Sequence, residues 1–162
     1  MKLMIYFTNE QTEEKVNYDL KMLVRRAILG TLEFEDFKRD CNVSVTFCDG
    51  EGIRALNSEF RNIDKETDVL SFPMLDENDP EVPGHPVELG DIVLNLSRAR
   101  SQGEEFGHGF AREAAFLVIH STLHLLGYDH ETGEEDEADM RARQSSIAEI
   151  CGFGLKNTTE VK

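Results

Sequence analysis

Apolar and polar positions recur with two different periods along this chain, and the changes of period mark out its elements. The opening "LMIYF" is a short apolar run that reads as a strand. From Tyr18 to Leu32, residues Leu20, Leu23, Val24, Ala27, Ile28 and Leu32 return at helical spacing, which predicts an amphipathic helix. "NVSVTFCD" switches to period two, setting Val43, Val45 and Phe47 against Ser44, Thr46 and Cys48, as in a half-buried strand. Ile53, Leu56 and Phe60 then share one face of a helix through "EGIRALNSEFR". "TDVLSFPM" predicts a short strand that stops before Pro73, because proline cannot donate to a central ladder. The segment "LDENDPEVPGHPVE", with three prolines and many acids, reads as a loop, and "DIVLNLS" as another strand. From Phe110 to Leu126 the apolar positions fit a mostly buried helix, with Ala114, Leu117, Val118, Ser121 and Leu125 in step and Gly127 as its stop. A last helix is expected from Glu134 to Ile150, followed by a frayed tail over 151–162. Four strands with helices between them, without repeat or linker, predict one compact α/β domain over residues 1–150, a small mixed sheet packed by helices.

Composition narrows the picture. A chain of 162 residues can bury a substantial core as one domain. "MIYF" is too short, and "TNEQTEEK" too charged, for a signal peptide or membrane span, so a cytoplasmic protein without membrane contact is expected. Three cysteines, Cys41, Cys48 and Cys151, have no zinc-ribbon spacing and read as buried thiols. The formal charge of −15 argues against loose, whole-surface attraction to nucleic acid, while leaving room for a local basic cleft. The six carboxylates of "ETGEEDEADM" read as a solvated helix face.

Against this background "HSTLHLLGYDH" stands out, with three of the chain's five histidines in eleven residues. His120 and His124 are four apart, so a helix stacks them on one face. His130 lies beyond Gly127, where a tight turn can bring it back. Two ligands on a rigid helix and one from the next turn cover three corners of a tetrahedron and leave the fourth open, an arrangement that suits one catalytic zinc ion, with other divalent metals possible. Such an ion lowers the pKa of a bound water towards ~7. The spacing H-x3-H-x2-G-x2-H also occurs in zinc proteases, where glutamate follows the first histidine as general base. Ser121 stands there instead, so peptide hydrolysis loses its usual base. Packing or helix-end histidines are the plainer alternative.

The same signature resembles the three-histidine motif of the bacterial YbeY-type endoribonucleases, the rRNA maturation factors of the UPF0054 group. "LNSEFRNIDKETDVLSFP", "LGDIVLNLSRA" and "GHGFAREAAFLVIH" match that family in order, over roughly residues 43–150. Two positions depart from it: Ser121, where glycine is usual, and Gly109, where serine is common. The resemblance implies metal ligands at His120, His124 and His130, a functional arginine at Arg61, and a metal site at one end of a cleft in a compact α/β fold. It also implies zinc-dependent, single-strand-specific cleavage of RNA in 16S rRNA maturation and ribosome quality control. The partners would be precursor small-subunit rRNA and ribosomal or small-subunit proteins, met by a monomer.

Phosphodiester cleavage needs a nucleophile, stabilisation of the added phosphate charge and protonation of the leaving oxygen. Water or the RNA's own 2′-hydroxyl can attack, and Arg61 could clamp nonbridging oxygens through its planar fork; a loop-fixing salt bridge with Asp64 or Asp68 is its structural alternative. His108 stands just before the metal helix, where it could help hold phosphate or simply pack. His85 reads as an exposed loop residue. Arg54, Arg61, Lys65, Arg98, Arg100 and Arg112 lie in segments that could form a basic strip at the metal, while Phe60, Phe72 and Phe106 are expected to pack. Two rivals remain: a zinc hydrolase acting on another substrate, and a ribosome-assembly factor with a structural metal.

Overall fold

A computed structural model describes residues 1–76, 78–129 and 133–153. Strands β1 (Leu3–Asn9), β2 (Cys41–Cys48), β3 (Val69–Pro73) and β4 (Val87–Asn95) form one sheet, in the order β1-β2-β4-β3. β1, β2 and β4 run parallel, and β3 pairs antiparallel with β4 at the edge. The parallel pairs require crossovers, which helices α1 (Tyr18–Phe34) and α2 (Gly50–Arg61) help provide. Helices α3 (Leu96–Glu105), α4 (Phe110–Leu125) and α5 (Glu134–Ile150) complete the fold. The mixed α/β domain read from the sequence is the one observed.

The sheet separates two apolar clusters. The large one joins Val43, Val45, Phe47, Leu89, Ile92 and Leu94 of the strands to α1, α3, α4 and α5. The small one places Ile53 of α2 against Cys48, Leu70 and Val93. α2 covers the β3–β4 side of its face, and Met4 and Tyr6 of β1 stay about half exposed. α1 starts where the Asn17 side chain accepts from the Leu20 amide at 2.9 Å, and α2 where Asp49 accepts from Gly52 at 2.8 Å.

Several expectations are corrected. α3 falls where the sequence reading continued a strand and then a connection: Asn95 caps it through the Arg98 amide at 3.3 Å, and only Leu96, Ala99 and Gly103 are buried, too sparse a stripe to stand out. β4 begins at Val87, inside the expected loop. There the register with β2 shifts between Asn42 and Val43. Gly90 takes φ +140°, and any Cβ on it would strike the Phe72 carbonyl oxygen, so glycine is required by a close strand approach. β3 includes Pro73, which an edge strand tolerates. Phe60 and Phe106 are each 60% exposed rather than packed inside; Phe60 lies edge-on to Phe72, their ring centroids 5.3 Å apart. Cys151 and Phe153, assigned to the tail, are buried in the large cluster, with the Arg26 guanidinium over the Phe153 ring at 4.7 Å.

Candidate active site

α4 is the central helix of the large cluster, packed against α1, α3, α5 and two strands. That burial on most sides explains its apolar sequence and fixes how it presents His120 and His124. The two half-buried imidazoles sit one turn apart with ring centroids separated by 4.7 Å and planes inclined at 74°. Their Nε2 atoms converge to 3.2 Å. Nδ1 of His120 faces Oε1 of Gln144 on α5 at 3.4 Å. Between the histidines, Ser121 is fully buried and shares a 2.5 Å hydrogen bond with Ser71 of β3, so the hydroxyl that departs from the family pattern ties the helix to the sheet edge.

The histidines open into a cleft of about 710 Å³. Consecutive β3 residues Val69, Leu70 and Ser71 line it, so it runs along the sheet's outer edge. Arg61 at the end of α2 lines the same cleft, as do Asp68, Tyr128 and Asp129. The chain leaves Arg61 through Asn62 at φ 57°, and the buried Asn57 holds this turn: its carbonyl accepts from Ile63 at 3.2 Å and its side chain donates to the Lys65 carbonyl at 2.9 Å. Asp68 accepts from its neighbour Val69 at 2.8 Å. With its amide turned towards two carboxylates, Gln102 donates to Asp68 at 3.3 Å and to Glu113 at 2.8 Å.

The turn after α4 is equally determined. The amides of Gly127 and Tyr128 donate to His124 and Leu123 carbonyls at 3.0 and 3.1 Å. Tyr128 is hydrogen-bonded with Glu35, the residue that ends α1, and this bond together with burial holds its phenol above the ordinary pKa. Arg143 of α5 pairs with Glu35 at 2.8 Å and lies over the Tyr128 ring at 4.7 Å. His130 lies outside the described residues. Among the described residues no three His, Cys, Asp or Glu side chains form a group able to hold a metal. The two described members of the expected three-histidine set nevertheless fit a cation: two imidazole nitrogens converge on one point, an arrangement that one shared proton or one metal ion relieves.

The remaining candidates fall elsewhere. His108 is paired with Glu113 at 2.9 Å, both side chains at or below 10% exposure, and stacks on Phe116; it is a packing residue of the α3–α4 junction. His85 is exposed and lines a separate pocket with Lys38 and Arg39. Of the six cations expected around the metal, only Arg61 lines the cleft among the described residues. Arg54 pairs with Asp64 at 2.8 Å. Arg100 is bound to Glu14 and lies over Phe110. Gln144 was missed by the sequence reading. Its signal was a polar residue at helical spacing between the buried Met140 and Ile147.

The family model for endoribonuclease YbeY matches residues 6–152. The chain belongs to the YbeY family. Its relatives include the endoribonuclease YbeY of Bacillus cereus (strain ATCC 14579), 44% identical over 158 residues covering 95% of this chain and 99% of the relative. The endoribonuclease YbeY of Clostridium botulinum (strain Hall) is 44% identical over 160 residues, covering 89% of this chain and 95% of the relative. A solution structure from Thermotoga maritima, 28% identical, superposes with a TM-score of 0.59 over 91% of this chain and 89% of that one. Among the described residues no helix is long and apolar enough to cross a membrane.

Proposed function

We propose that this YbeY-family chain is a zinc-dependent endoribonuclease that cuts single-stranded RNA during maturation of small-subunit (16S) rRNA. The observation that carries the proposal is the meeting of the His120 and His124 nitrogens with Arg61 in one open cleft. His120, His124 and, by the spacing of the motif, His130 would hold the zinc. When bound, the ion supplies Lewis-acid stabilisation of phosphate charge and an acidified water.

The protein's own residues do the rest. Arg61, exposed at the cleft wall, presents a planar fork to the nonbridging oxygens and holds the scissile phosphate against the histidines. The Ser71–Ser121 bond fixes the distance between the strand edge and the histidine helix, so the phosphate meets both walls at a set separation. A cleft running along a strand edge accommodates one extended chain whose backbone can reach its floor, which favours single strands.

With one arginine lining the cleft among the described residues and a formal charge of −15, attraction for naked RNA is expected to be weak. One or two phosphate contacts give a salt slope of only about −0.7 to −1.4. Delivery of the substrate within a precursor ribosomal particle, with small-subunit proteins as partners, fits that weakness, and ribosome quality control is a natural extension. The enzyme would act in the cytoplasm as a monomer.

The test couples metal analysis of purified protein to cleavage of matched single- and double-stranded RNAs, with His124→Ala and Arg61→Ala beside the wild type and folding checked for each. One zinc per chain, preferential cleavage of single strands, loss in the histidine variant and a 10²–10³-fold loss in the arginine variant are expected. Equal trace cleavage in every variant would refute the assignment. Unfolding on removal of zinc would favour a structural metal in an assembly factor instead.

A further inference from the structure

Outside the cleft, the Gln144 side chain of α5 touches His120, a candidate ligand. Its amide spans two groups of α4: Nε2 donates to the Phe116 carbonyl at 3.2 Å, and Oε1 faces Nδ1 of His120 at 3.4 Å. A main-chain carbonyl can only accept, so it dictates which end of the amide faces it. The opposite end, turned to the imidazole, is therefore a carbonyl oxygen that can only accept as well. Nδ1 must then carry the ring proton, and Nε2 is left with its lone pair directed at Nε2 of His124, 3.2 Å away.

We propose that Gln144 is a positioning residue that locks His120 in the Nδ1–H tautomer and so presents Nε2 as a ready ligand. This rests on the metal-dependent reading above, in which His120 is a ligand. The determinant is a backbone group four residues before the histidine on the same helix, relayed by a side chain from a different one. α5 thereby sets the ligand state of a histidine on α4. Metal-bound imidazoles generally need such an acceptor on their other nitrogen, and its removal weakens metal binding about 10–100-fold.

The full chain is tested as wild type, Gln144→Leu, Gln144→Glu and His124→Ala. Zinc affinity is measured by competition with a chromophoric chelator. The His120 tautomer is read from imidazole ¹⁵N shifts of the zinc-free protein, and urea unfolding checks the fold. In the wild type Nδ1 should be protonated. Gln144→Leu, which keeps bulk and removes the acceptor, should shift the proton to Nε2 and lower zinc affinity about 10–100-fold. Gln144→Glu cannot donate to the Phe116 carbonyl but can still accept from Nδ1, and should keep the tautomer and lose less affinity than the leucine variant. Wild-type affinity in Gln144→Leu, or an equal loss in the leucine and glutamate variants, overturns the inference. An Nε2–H tautomer in the wild type overturns it without any variant. Absence of zinc binding by the wild type, or full binding by His124→Ala, counts against the metal reading itself, and the wild-type tautomer still decides the role of Gln144.

Discussion

Replacing Gly103 with alanine sets two well-known effects against each other, and the structure decides between them. Gly103 lies in the last turn of α3, buried, and its carbonyl accepts both the His108 and Gly109 amides at 3.0 Å. Helix propensity favours alanine there by about 0.8–1.0 kcal/mol. A Cβ at this position, however, would collide with the Gly109 carbonyl oxygen and sit 2.5 Å from its carbon and 3.0 Å from the Phe110 nitrogen. All three are backbone atoms, so no side chain can swing aside, and α3 must separate from the start of α4. Overpacking of this kind costs about 1–3 kcal/mol, with rigid partners at the upper end. The expected net is a destabilisation of about 1–2 kcal/mol, read by urea unfolding followed by far-UV circular dichroism and corresponding to a fall in Tm of about 2–8 °C. His120 lies ten residues further along α4 than Phe110, about 15 Å along the axis. On the zinc-dependent reading proposed above, the metal affinity of the folded variant should therefore stay near that of the wild type. A midpoint equal to or above the wild type would refute the argument, because propensity would then have outweighed the contact.

Three further predictions concern buried polar groups. Ser71→Ala and Ser121→Ala should each cost about 1–2 kcal/mol by stranding the other hydroxyl, and the double variant should cost clearly less than their sum in a double-mutant cycle. Glu113→Ala removes the acceptor shared by the half-buried His108 and by Gln102, so urea unfolding should show a loss of about 1–3 kcal/mol, with Glu113→Gln milder. Burial pushes the Cys41 thiol up to about 11 and Cys48 up to about 12, from an ordinary 9.0. Raised folded-state values mean that this contribution to stability is complete below pH 9 and is lost as pH rises through 11–12. Each thiol then costs up to about 1.4 kcal/mol per pH unit in that window. Denaturation midpoints should fall steeply above pH 9, less so in Cys48→Ala, and a flat profile would contradict the assignment.

The elements legible in the sequence were those whose burial is one-sided or nearly complete. α1 and α4 showed dense apolar spacing, and β2 alternated because one face meets the large cluster. α3 escaped because three small contacts suffice to dock it, and the start of β4 escaped because the prolines and acids before it drew Val87 and Glu88 into a loop. The histidine pair was visible because helical spacing alone brings its members together. Its supports were not: Gln144 and Ser71 reach the site through packing between α4 and its neighbours, which local periodicity does not encode. The basic strip failed for a related reason, since Arg54 and Arg100 were assigned to the cleft by sequence neighbourhood and are held instead by Asp64 and Glu14.

The division of the site between one helix and one strand edge also orders its assembly during folding. His120 and His124 are brought together by local turns of α4, which form within about a microsecond once the helix is populated. Arg61 reaches the same place only after β3 has paired with β4, and β4 must itself find β2 across a long chain separation. Such non-local pairings close late. On refolding of the whole chain, the imidazole pair is therefore expected to come together before the cleft beside it has closed.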